Sequence, residues 1–183
     1  MDIRALPGGF SVAELVGDRV SVSPLAREDR RALVEAASDP GIWAGHPATD
    51  RYRARVFEPY LDEIMSAGGG VTLRDSDGQA IGMSRFYASS DAPEGIGIGF
   101  TFLVRSHWGG ATNFEVKRLM LAHLFRFVDE AWFHIAPTNI RSQKATAKLG
   151  AVPEDSRILD LGAGRTEWVR MRLRKAQWYA AGH

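Results

Sequence analysis

At 183 residues the chain is long enough for one domain whose core buries roughly 70% of the unfolded surface. Hydrophobic residues make up 45% and charged residues 25%, and 23 basic against 22 acidic side chains leave a net charge of +1. That balance argues against nucleic acid as the main partner, since neutralising phosphates needs a basic excess. The lack of cysteine excludes a disulfide framework, a zinc–thiolate site and a thiol nucleophile. No stretch has signal-peptide or membrane-spanning length, so a cytoplasmic setting with no membrane partner is expected.

In chain order, "DRVSVSPL" (18–25) alternates and predicts a first strand. "AREDRRALVEAASDPGIW" (26–43) follows as a helix that stops before Pro40, because the residue ahead of a proline disfavours helical angles. A second helix, "RARVFEPYLDEIMSAGGG" (53–70), is open to interruption at Glu58 and Pro59 and ends on its glycines. "VTLR" and "QAIGMSRFY", joined by "DSDG", predict a hairpin. A strand from Ile96 to Val104 and a long helix to Val128 come next. The short strand "AWFHIA" (131–136), the helix "NIRSQKATAKLG" (139–150) and the terminal hairpin "RILDLGAGRTEWVRMRLR" (157–174) complete the chain. The order β-α-α-β-β-β-α-β-α-β-β alternates only in its second half. It predicts an α/β (α+β) fold, a mixed central sheet flanked by helices, in one domain spanning 1–183.

"RSHWGGATNFEVKRLML" (105–121) thins to bare backbone just ahead of an apolar run. Thr112 and Glu115 spell T-x-x-E, a capping-box pattern that starts the helix at Thr112 or Asn113. Gly109, Gly110 and Ala111 then lie just outside its positive end, where small residues let an anion approach free amides and the helix dipole. A plain capped loop explains the same residues, and from them alone the two readings stand level. No Walker loop occurs. "EGIGIGF" (94–100) runs into a strand rather than a helix, so it is not a dinucleotide fingerprint. Its alternation puts Ile96, Ile98, Phe100 and Phe102 on one face. Gly95, Gly97 and Gly99 leave the other face thin, for a packed helix or, less often, an extended ligand.

The order of elements, together with "SDPGIW" (38–43), "IGFTFL" (98–103), "WGGATNFEVKRLML" (108–121) and "NIRSQKATAKLGA" (139–151), resembles the GNAT N-acetyltransferase superfamily. The likeness is strongest to its branch of ribosomal-protein N-terminal acetyltransferases and runs over nearly the whole chain, including the terminal "GRTEWVRMRLRKAQW". It implies the acyl-CoA N-acyltransferase fold, a mostly antiparallel sheet whose fourth and fifth strands splay apart, and acetyl-CoA (coenzyme A) as cofactor. Pantetheine is then expected between those strands, along Phe102, Leu103 and Val104. Pyrophosphate is expected on the loop formed by Trp108, Gly109, Gly110, Ala111, Thr112 and Asn113. By the same resemblance Asn139 contacts the cofactor, and Ser142 donates a hydrogen bond or proton to the departing sulfur. The sequence departs from the family pattern at four places, one of them Ala111 for the usual third glycine, a change the pattern permits. Ser106 stands where the loop often begins with Gln or Arg, Gly97 where many relatives carry Glu, and Ile135 and Ala136 where they carry a polar pair.

The resemblance thus implies direct acetyl transfer to a primary amine, either a protein N-terminus or a small amine. Asn139 and Ser142 are the candidate catalytic residues; helix capping explains their type but not their match in position. His134 could face the cleft as a base, although a packed histidine is the commoner case, and Asp160 and Glu154 are weaker alternatives. Trp43, Tyr52, Phe57 and Tyr60 are pocket candidates only, since aromatics at such spacing more often belong to a core. Arg170, Arg172 and Arg174 read as a solvated strand face rather than a nucleic-acid contact. No histidine pair has helix-ligand spacing, so no metal is expected. A catalytically silent acyl-CoA-binding module is the alternative reading, and a homodimer and a monomer both remain open.

Overall fold

The computed structural model describes residues 6–161 and 164–182; the predicted hairpin turn at 162–163 lies outside them. Its strands are β1 (Leu15–Val16), β2 (Val20–Pro24), β3 (Gly70–Asp75), β4 (Ala80–Tyr87), β5 (Ile96–Leu103), β6 (Glu130–Ile135), β7 (Val152–Asp160) and β8 (Arg165–Arg174). Its helices are α1 (Arg30–Ala36), α2 (Pro40–Trp43), α3 (Ala54–Ala67), α4 (Thr112–Leu124), α5 (Ile140–Ala147) and α6 (Lys175–Ala180). β1, α2 and α6 are additions to the sequence reading, so the expected fourth and fifth strands are β5 and β6.

The strands form one sheet in the order β1-β2-β3-β4-β5-β6-β8-β7. Every neighbouring pair is antiparallel except β5 and β6, which run parallel because α4 carries the chain back between them. Helices cover both faces. On one, Val116, Met120, Leu121 and Leu124 of α4 pack with Val22, Leu73, Ile96, Ile98 and Phe133, joined by Trp178 of α6. On the other, Leu33 of α1, Trp43 of α2 and Phe57, Leu61 and Ile64 of α3 pack on Met83 and Phe102. Trp43 and Phe57 therefore belong to the core, and the Trp43 indole donates to the Ala37 carbonyl at 2.8 Å.

The helix boundaries follow local chemistry. Asp39 accepts from the Gly41 amide at 2.8 Å and Pro40 takes the first helical position, so the proline that ends one helix opens α2. α3 continues through Pro59. The bond that proline forfeits is to the carbonyl of Arg55, an exposed residue whose oxygen water can satisfy. The expected capping box at α4 does not form. The helix starts at Thr112, but Ala111 is its N-cap and no side chain caps it. Glu115 instead turns to the β1–β2 turn and accepts from the amides of Asp18 and Arg19 at 2.5 and 3.0 Å.

Candidate active site

β5 and β6 pair only at Ile96↔Ala131 and Gly97↔Trp132; beyond these, β5 runs on to Leu103 and β6 to Ile135 without pairing. The parting has a local cause. Arg85 of β4 pairs with Gly99 while Met83 pairs with Phe102, so β5 carries one extra residue, and Phe100 takes a left-handed φ of 55°. A bulge of this kind bends its strand and sharpens its twist. It also reverses the side-chain alternation, which corrects the expected common face. Ile96 and Ile98 point to the α4 side, whereas Phe100 and Phe102 join the aromatic cluster under α3. Phe102 and Leu103 are buried and Val104, which leaves the strand, is half-buried.

The loop that follows is braced on both sides. Arg105 Nε donates to Asp39 Oδ2 at 2.6 Å, and the Trp108 indole donates to the Leu103 carbonyl at 2.9 Å. The guanidinium of Arg141, on α5, lies 3.9 Å from the centre of the Trp108 ring. Between these braces the backbone is bare. Gly109 adopts φ 73°, a conformation that favours glycine. Gly110 has no such need, and a Cβ on either residue would meet nothing within 4 Å. Neither packing nor backbone angle explains the second glycine. Gly109, Gly110 and Ala111 are exposed, Thr112 and Asn113 half-buried, and the uncapped positive end of α4 opens onto them. This cradle fits an anionic group approaching amide donors.

Asn139 caps α5, its Oδ1 accepting from the Ser142 amide at 3.2 Å. Among the described residues the half-buried Ser142 hydroxyl makes no hydrogen bond. The start of α5 is tied to α2 as well, since Arg141 reaches the Ile42 carbonyl at 3.5 Å.

The thin face of β5 is filled by aromatic rings from its neighbours, neither by a helix nor by open space. A Cβ at Gly97 would stand 2.4 Å from the Tyr87 ring, and one at Gly95 2.5 Å from Trp132. The Tyr87 hydroxyl lies 2.7 Å from His134 Nδ1, and His134 Nε2 lies 3.1 Å from Asp91 Oδ2. Ser89 donates to the other carboxylate oxygen. Arg170 Nε sits 2.5 Å from Asp91 Oδ2, a charge contact out of hydrogen-bond alignment, and its other nitrogens reach the Asp91 carbonyl and Asp155. Burial works against the Asp91 charge, but the Ser89 and His134 hydrogen bonds and the Arg170 charge hold its carboxyl below the ordinary range. Burial pushes the His134 imidazole below its usual value, against the pull of Asp91. Sequence reasoning singled out His134 but neither Tyr87 nor Asp91.

On the opposite face Lys117 of α4 is buried, its Nζ 2.8 Å from Thr101 Oγ1 and 3.4 Å from Ser84 Oγ. Burial alone lowers this amine to about 7. Among the described residues no group of histidines and carboxylates could hold a metal ion, and no helix is long and apolar enough to cross a membrane.

A sheet that parts at its single parallel pair, with a bare loop and a helix start at the opening, defines the acyl-CoA N-acyltransferase fold. The model of the acetyltransferase (GNAT) domain family matches residues 19–152, and the chain belongs to that family. It is thereby an acetyltransferase, of a family whose acetyl donor is acetyl-CoA. A GCN5-related N-acetyltransferase from Brucella melitensis is 16% identical with a TM-score of 0.79, the match covering 93% of this chain and 82% of that one. The RimJ protein of Mycobacterium smegmatis, solved in complex with CoA-disulfide, is 16% identical with a TM-score of 0.66 over 97% of both chains. A GNAT-family acetyltransferase from Bacillus anthracis is 14% identical with a TM-score of 0.71, covering 89% of this chain and 99% of that one. No curated protein matches the sequence.

Proposed function

We propose that the protein is an N-acetyltransferase that moves the acetyl group of acetyl-CoA directly to a primary amine, a protein N-terminus or a small amine. The observation that carries this reading is that β5 stops pairing with β6 after Gly97 and then runs through a bare, exposed loop into the uncapped start of α4. Bound acetyl-CoA supplies an activated thioester. Backbone of Phe102, Leu103 and Val104 holds the pantetheine arm where β6 no longer pairs. Amides from Gly109 to Asn113, with Trp108 bracing the loop, hold the pyrophosphate at the positive helix end. Asn139 orients the start of α5 and keeps its side-chain NH2 for the cofactor, and the Ser142 hydroxyl donates to sulfur as the thiolate departs.

The test is a melting curve with and without acetyl-CoA, followed by free-thiol release over a panel of amines and short peptides. At ~100 times its dissociation constant a ligand stabilises by ~2.7 kcal/mol, a rise of roughly 5–10 °C for a chain of this size. No rise at millimolar acetyl-CoA removes the reading. A rise without thiol release from any amine leaves an acyl-CoA-binding module in its place.

A further inference from the structure

Glycines at 97 and 99 clear a path across β5, and Tyr87 takes it. Its ring starts on β4, lies over both glycines, and places its hydroxyl on His134 of β6. Trp132 is the last β6 residue paired to β5, and His134 is the next on the same face, so the bridge stands where the two strands part. We propose that Tyr87, His134 and Asp91 form a proton relay that serves the acceptor amine; the proposal rests on the acetyltransferase reading above.

The hydrogen-bond directions follow from charge. The ionised Asp91 carboxylate also faces Arg170 and can only accept, so His134 carries its proton on Nε2 and donates it to Oδ2. The neutral ring then presents a lone pair at Nδ1, and the Tyr87 hydroxyl donates to it. The phenol oxygen keeps capacity to accept beside Gly99, in the stretch of β5 that no longer pairs with β6. A Cβ on Gly99 would lie 3.5 Å from the oxygen, and residues 99–101 are half-exposed. Tyr87 is buried, and a side chain at 99 would cover its hydroxyl on this side; glycine leaves that side of the oxygen uncovered by a side chain.

The step balances with one proton. The neutral acceptor amine forms its N–C bond as the C–S bond breaks and the electron pair leaves on sulfur. The nitrogen passes a proton to Tyr87 Oη while the phenolic proton moves to His134 Nδ1, and the imidazolium sits against Asp91. The proton then returns through the same hydroxyl to the thiolate, giving amide and free thiol with the relay as it began. The arrangement follows the logic of a Ser-His-Asp triad, with tyrosine as the terminal hydroxyl. Burial pushes the Tyr87 phenol up, which suits a group that conducts a proton rather than holding a negative charge. The other charges near the relay are Arg85 beside Tyr87, and Arg170 and Asp155 on the His134 side, with Arg157 pairing Asp155.

Tyr87→Phe keeps the ring over the glycines and removes only the hydroxyl. Thiol release should fall ~10²-fold, the scale of general acid–base assistance, with an unchanged acetyl-CoA melting shift. Independently of any ligand, nitrogen NMR of the wild-type protein should find His134 as the Nε2–H tautomer. Undiminished turnover in Tyr87→Phe overturns the relay, and so does an Nδ1–H tautomer. A wild-type protein that fails to bind acetyl-CoA removes the acetyltransferase reading and, with it, the relay's role in transfer, whichever tautomer His134 adopts.

Discussion

Replacing Lys117 by methionine should make the protein's stability less dependent on pH. Lys117 has no carboxylate partner among the described residues; it meets only the hydroxyls of Thr101 and Ser84, and burial brings its amine to about 7 from 10.5. Below that folded value the group is charged in both states, so the folded protein bears the whole penalty of a buried ammonium. As pH rises from about 7 towards 10.5 the folded amine is neutral while the unfolded one still holds its proton. The unfolded state then binds more protons, and stability rises with pH. Between about pH 6 and about pH 9 this one group contributes a gain of ~2.5 kcal/mol. For a domain of this size that is a melting-point rise of ~5–10 °C. Lys117→Met fills similar volume, and Thr101 and Ser84 keep each other at 2.7 Å and the Gly99 carbonyl as partners. Melting curves of both proteins at the two pH values isolate the effect, because all other titrating groups are shared. Parallel shifts in wild type and variant would refute the reasoning; the expected result is a wild-type rise that the variant lacks.

Gly110→Glu should abolish most of the acetyl-CoA melting shift by repulsion while leaving the ligand-free melting point within ~0.5 kcal/mol of wild type, since a Cβ there meets nothing; tight binding by the variant would displace the phosphates from this loop. Ser142→Ala should slow thiol release at least tenfold, within the ~10²–10⁴-fold range of a positioned donor, with the melting point held because the Asn139 cap is made to its backbone amide. Unchanged turnover there would reduce Ser142 to a helix residue. Gly97→Ala should destabilise by ~1–3 kcal/mol, because its Cβ is driven into the Tyr87 ring at 2.4 Å; a melting point equal to wild type would mean that the ring moves freely.

Much of the fold could be read from the sequence because its signals are local. Alternating runs, turn residues at "DSDG", and the proline and glycine stops mark the elements with little help from tertiary contacts. The bare loop was legible too, as glycines spelled out ahead of a helical pattern. What failed was decided at long range. Glu115 satisfies the capping-box spelling, but amides of Asp18 and Arg19, distant in sequence, claim its carboxylate first. The reversal at Phe100 depends on a bulge against β4, which no period-two pattern announces. Tyr87 and Asp91 carry no motif. Their one trace is the pair of glycines at 97 and 99, which signalled a close approach without naming what approaches.

The braces around the loop join it to the helices on its far side. Arg105 holds Asp39 and packs where a Cβ on Gly41 would fall, while Arg141 stacks on Trp108 and reaches Ile42. Loop, α2 and the start of α5 are therefore joined through their side chains. On the reading proposed above, a donor that stiffens the loop would spare an acceptor bound near α2 part of the ordering it would otherwise undergo. By thermodynamic reciprocity the acceptor tightens the donor by the same factor. Titrating a product amide with and without coenzyme A measures that factor directly, and equal affinities in the two titrations would mean that the linkage transmits nothing.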